Sequence, residues 1–103
     1  MPRVIVRLAE SALIDAETLQ AWYAEQGAPA AGEKPVGEVL ASVEALVDHP
    51  EMGRVVPEFG SPILRELIRP PVRVVYRVDP GHVRVVRVWR SERRLRLPKG
   101  AKP

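Results

Sequence analysis

The sequence contains no cysteine. That excludes a disulfide framework, a thiol nucleophile and a thiolate metal site. Histidine is nearly as scarce, with only His49 and His82. Both fall at expected turns, so a histidine-based metal site lacks ligands. Aromatic residues are few, and Phe59 and Tyr76 stand isolated. A platform for stacking single-stranded bases needs exposed Phe/Tyr pairs, and none is written here. There is no phosphate-cradling P-loop and no dinucleotide-type glycine pattern. Long apolar runs are absent too. Arg3, Arg7 and Glu10 interrupt the N-terminus, which speaks against a signal peptide, and no segment is long enough to span a bilayer. The expectation is a soluble, cytoplasmic protein with no membrane partner, no cofactor and no metal.

Charge is present in quantity, and it is unevenly placed. Residues 1–51 carry three cations against nine acids, a net −6. Residues 52–103 carry thirteen cations against four acids, a net +9. A basic half favours phosphate backbones or an acidic protein partner. Arginine outnumbers lysine there, and its planar fork suits bidentate contact with phosphate or carboxylate. Solvated strand faces could also account for the pattern.

The 103 residues suffice for one domain, residues 1–103, with residues 97–103 expected to be a frayed tail. Val4, Ile5, Val6 and Leu8 suggest a short first strand. Ser11 is placed to cap a helix with apolar positions Ala12, Ala16, Leu19 and Tyr23, and Gly27 stops it. A second helix is expected from Pro35, with a stripe of Val36, Val39, Leu40, Val43, Leu46 and Val47. Three β-type runs follow, at 63–69, 72–78 and 83–90, broken by Pro70-Pro71 and by the turn Asp79-Pro80-Gly81-His82.

Alternation then sorts the last two runs into faces. One face should hold Val72, Val74, Tyr76, Val78, Val83, Val85, Arg87 and Trp89, packed under the helices with Arg87 as a misfit. The other should hold Arg73, Val75, Arg77, Arg84, Val86, Val88 and Arg90, a basic rim around an apolar floor. The core is expected to join Leu19, Tyr23, Val39, Leu40, Val43, Leu46 and Val47 to Val74, Tyr76 and Val85. The elements expected are thus an N-terminal strand and an antiparallel helical hairpin packed on a sheet.

The chemistry left to such a chain is that of guanidinium groups around a carboxylate. Arg54, Glu58, Arg65, Arg73, Arg77, Arg90 and Arg93 form the set. Without a metal, Glu58 could take the proton from a ribose 2′-hydroxyl while arginines hold the developing phosphate charge. A donor for the leaving oxygen is not evident, since no tyrosine or histidine follows His82. Glu58 could equally be a loop carboxylate paired with Arg54 or Arg65.

The ordered fragments ALIDAETLQAWY (Ala12 to Tyr23), HPEMGRVVPE (His49 to Glu58), REL (Arg65 to Leu67), VRVVYRV (Val72 to Val78) and VRVWRSER (Val86 to Arg93) resemble the RelE/ParE toxin superfamily of bacterial toxin–antitoxin modules. The resemblance spans residues 3–97. It implies an α+β fold class, with the N-terminal strand and the antiparallel helical hairpin packed on a curved, mainly antiparallel β-sheet, and a toxin neutralised by a cognate antitoxin. It also implies a functional region on the concave sheet face with the adjoining loop and C-terminal segment, which points to Arg54, Glu58, Arg65, Arg90 and Arg93. Relatives that cut mRNA on the ribosome often carry histidine where this chain has Arg90. Glu58, Arg65 and Arg93 would be the catalytic residues of such an endoribonuclease. ParE-type relatives poison DNA gyrase and need no nuclease residues. Arg54, Arg73, Arg77, Arg84 and Arg90 would then serve target or phosphate binding. The slightly favoured expectation is the gyrase poison, with the ribosome and mRNA as alternative targets. A plain nucleic-acid-binding module is a third reading.

Overall fold

A computed structural model of the chain describes residues 3–91 and 94–103. The elements run β1 (Ile5–Leu8), α1 (Glu10–Glu25), a short 3-10 turn (Pro29–Gly32), α2 (Glu33–Ala45), β2 (Arg54–Val55), β3 (Leu64–Arg69), β4 (Val72–Asp79) and β5 (His82–Arg90). Five strands form one sheet in the order β1-β5-β4-β3-β2. Among the described residues only the β1–β5 pairing is parallel; the other three are antiparallel. The α+β expectation, a helical pair on a mainly antiparallel sheet, therefore holds.

The helix α1 ends as the sequence predicts. Gly27 takes φ 72°, a left-handed value that glycine adopts without steric cost. Its N–H reaches Ala24 O, and the Ala28 N–H reaches Tyr23 O, which satisfies carbonyls of the last turn. The start differs. Ala9 is the N-cap, and Ser11 lies inside the helix, donating its Oγ hydrogen to Val86 O at 2.6 Å. The second helix begins at Glu33, two residues before Pro35, because the preceding 3-10 turn leads straight into it.

The face of α2 is also rotated from the expected one. Val39, Ser42 and Leu46 are buried, whereas Leu40 is 57% exposed. Successive helix residues differ by about 100°. Seating Val39 and Leu46 on the sheet therefore swings Leu40 outward. Ser42 tolerates burial because its Oγ donates to Glu38 O and accepts from Arg69 Nε at 3.0 Å.

Strand β5 contains a bulge that the alternation rule could not anticipate. Tyr76 pairs with Val85, but Val75 pairs with Arg87, so Val86 is an extra residue. Beyond it every side chain changes face. Val88 packs under the helices, with Val72, Val74, Tyr76, Val83, Val85, Ala12, Leu19, Val39 and Leu46. Trp89 lies on the opposite face with Val56, Leu64, Val75 and Val86. This corrects the expected faces of Arg87, Val88, Trp89 and Arg90. It also removes the misfit, since Arg87 now shares the face of Val75.

The other face has a core of its own, closed by the C-terminal segment. Leu95 and Ala101 are buried against it. Residues 97–103 are thus not a frayed tail: the segment straps across the sheet, and the expected open basic face lies beneath it.

Candidate functional site

The centre of the strapped face is ionic. Glu66 sits in mid-β3 and is fully buried. Its Oε1 accepts from Arg73 Nη1 at 2.8 Å. Its Oε2 accepts from Arg54 Nε at 2.8 Å, and Arg54 Nη2 lies at an ion-pair distance of 2.8 Å from the same oxygen. Arg73 is buried as well and turns its other edge to Glu58, with Nη2 2.6 Å from Oε2 and Nη1 3.2 Å from Oε1. The four groups form a line, Arg54–Glu66–Arg73–Glu58, of two cations and two carboxylates. Among the described residues Arg73 Nε has no hydrogen-bond partner.

Register explains why these residues meet. Arg54 pairs with Glu66 across β2–β3, and Glu66 pairs with Val75 across β3–β4. Directly paired residues point to one side. Arg73 and Val75, two apart on β4, share that side. Glu58 arrives from the loop after β2. The hydrogen bonds from Arg73 are the main force holding the Glu58 carboxyl below its usual value of 4.5, against a smaller opposing effect of burial. The same bond to Glu58 leads the causes that raise Arg73. Because the folded-state pKa of Glu58 is lowered, its pairing contributes stability above pH 4.5 and loses it as pH falls through the folded value. We expect the wild-type unfolding midpoint to drop across that acid range and Glu58→Gln to flatten part of the drop, as measured by thermal melts from neutral pH downward.

Arg65 stands on the opposite side of the sheet. It pairs with Tyr76, which belongs to the helix-side core. Its Nε donates to Pro62 O and its Nη1 to Gly53 O, both at 3.0 Å. The fold therefore does not bring Glu58 and Arg65 together. Between Tyr76 and Gly53 the fit is close: the Gly53 N–H donates to the Tyr76 hydroxyl at 2.8 Å. A Cβ on Gly53 would lie 2.6 Å from Glu66 O and 2.7 Å from the hydroxyl. Gly53→Ala is expected to force β2 away and cost about 1–3 kcal/mol by chemical denaturation. Burial is the first cause that raises the Tyr76 hydroxyl pKa.

Of the remaining expected arginines, Arg77 and Arg84 are partners across β4–β5 beneath the C-terminal strap, and Arg90 lies elsewhere. Arg77 bonds both oxygens of Asp79 at 3.1 Å and donates from Nη1 to Lys102 O at 2.9 Å. Arg84 donates to Gly100 O at 3.3 Å. Arg90, past the bulge, lies on the helix side with its guanidinium 5.1 Å from the Trp22 ring centre. Arg93 lies outside the described residues.

The sequence reading missed Glu66, Asp15 and Arg87 as organising groups. Asp15 accepts from Arg87 at 2.6 and 2.7 Å and from the Val88 N–H at 3.0 Å. With the Ala9 N–H on Val85 O and Ser11 on Val86 O, α1 covers the edge of β5 where β1 has ended. The Arg87 misfit was the available signal, because a charge breaking an apolar alternation marks a change of register. Above this edge α1 and the ends of β4 and β5 bound a groove of ≈ 370 Å³, lined by Ile14, Leu19, Trp22, Tyr23, Val88 and Arg90 among others.

Among the described residues no group of three histidine or acidic side chains is placed to hold a metal, and no helix is long and apolar enough to cross a membrane.

A family model described as the ParE toxin of the type II toxin–antitoxin system parDE matches residues 6–95. No curated protein matches the chain. Among solved structures, the chain is similar to one from the chromosomal ParDE toxin–antitoxin system of P. aeruginosa. The TM-score is 0.73 at 20% identity, over 89% of this chain and 100% of the other.

Proposed function

The chain belongs to the ParE toxin family of type II toxin–antitoxin systems, and from that membership we propose that it stops growth by binding DNA gyrase, without proton-transfer chemistry of its own, and that a cognate antitoxin neutralises it. The observation that carries the reading is the grip of Arg73 on Glu58. Both oxygens of this carboxylate are occupied by one buried guanidinium, at 3.2 and 2.6 Å. Its proton affinity is lowered, which makes it a weaker base. A general base for a ribose hydroxyl works best with a pKa near the operating pH and within reach of the proton. Glu58 moves away from the first condition, and Arg65 stands on the other face.

A neutralising partner would need apolar and acidic side chains. The groove beside α1 exposes Trp22 and Ile14 next to Arg90 and suits such a segment. The test is expression without a partner. Growth arrest with SOS induction, kept in Glu58→Gln, is the expected outcome. Immediate arrest of translation, lost in Glu58→Gln, would instead favour the ribosome-dependent endoribonuclease. Co-expression of the neighbouring reading frame should restore growth and yield a stable complex.

A further inference from the structure

Residues 94–103 carry Arg94, Arg96, Lys99 and Lys102 and no acid. All four cations are exposed. The backbone between them is held down. Trp89 Nε1 donates to Arg94 O at 3.1 Å, Arg87 to Arg96 O at 3.3 Å, Arg84 to Gly100 O at 3.3 Å and Arg77 to Lys102 O at 2.9 Å. Leu95 and Ala101 turn inward and are buried. The inner side of the segment is therefore occupied by its carbonyls and apolar groups, and the outer side is left with positive charge. Among the described residues no salt bridge engages any of the four.

We propose that this docked strap is a sequence-independent binding site for the phosphate backbone of duplex DNA. Two features favour that partner over an acidic protein. The outer side of the strap offers charge without an exposed large apolar side chain: Leu95 is buried and Leu97 half-buried against the second core. Protein interfaces draw their energy from apolar or aromatic anchors, whereas backbone binding needs only cations. The charge also lies on a segment whose backbone is fixed to the sheet on both sides of a turn at Pro98–Ala101, so that backbone needs little ordering on binding. The acidic surplus of residues 1–51, at net −6, would orient the opposite half away from DNA. No base-reading element is implied, since contacts to phosphate position a protein without reading sequence.

The proposal stands apart from the gyrase reading, because it is measured on a mixed-sequence DNA duplex with no topoisomerase present. Fluorescence anisotropy across salt should give a slope of log K against log salt of about −3.6, at roughly −0.9 per phosphate contact. That corresponds to about a 150-fold loss of affinity between about 50 and 200 mM salt. The quadruple variant Arg94→Ala, Arg96→Ala, Lys99→Ala, Lys102→Ala should lose most of that slope while keeping the wild-type melting temperature, since the replaced side chains are exposed. Poly-glutamate, a probe of acidic-protein chemistry, should bind at least ~10-fold more weakly than the duplex under the same salt. An unchanged slope in the quadruple variant would overturn the assignment. So would absence of duplex binding at about 50 mM salt, or poly-glutamate binding as tightly as DNA.

Discussion

Replacing Glu66 with alanine is expected to destabilise the protein by about 3–5 kcal/mol, the range for removing one partner of a buried ion pair. Glu66 is fully buried and binds Arg73 on one oxygen and Arg54 on the other. Its loss leaves Arg73, itself buried, with Glu58 alone, and Glu58 is 41% exposed. Among the described residues Arg73 Nε already lacks a partner, so the variant leaves a second edge of the same buried guanidinium unsatisfied. Urea denaturation of Glu66→Ala against wild type measures this directly. Glu66→Gln should be milder, because the amide keeps an acceptor and the shape. A loss under about 1 kcal/mol for the alanine variant would mean that the ionic line is not a structural element.

The second large effect separates two leucines on one helix. Leu46→Ala should cost about 2–5 kcal/mol, since Leu46 has no exposed surface and joins α2 to the helix-side core. Leu40→Ala should change stability by less than about 1 kcal/mol, because its side chain stands in solvent. The stripe periodicity alone assigns both to the core. Equal losses in the two variants would contradict the orientation of α2.

What the sequence disclosed and what it hid differ in physical kind. Strand and helix positions were legible because Pro70-Pro71, Gly27 and the turn at Asp79–His82 punctuate runs of clear period. The bulge at Val86 was not, since a bulge is settled by the pairing of two strands and not by either alone. Its trace was Arg87, a charge on what alternation makes an apolar face. The strap of residues 94–103 was hidden for a similar reason. A polar, arginine-rich segment looks frayed until four partners for its carbonyls, from Arg77, Arg84, Arg87 and Trp89, are placed opposite it. The individual arginines of the site were readable as residues, yet their partners were not. Sequence spacing gave no means of knowing that Arg73 would face Glu58 and Glu66 while Arg65 faced the helices.

The proposed function requires a toxin that binds its target and leaves RNA intact. The most direct measurement incubates the purified chain with DNA gyrase, ATP and plasmid, and scores covalent gyrase–DNA cleavage complexes. A parallel reaction contains ribosomes and mRNA. Cleavage complexes are expected for wild type and for Glu58→Gln alike, with intact mRNA. Cut mRNA from wild type but not from Glu58→Gln, without any effect on gyrase, would contradict it.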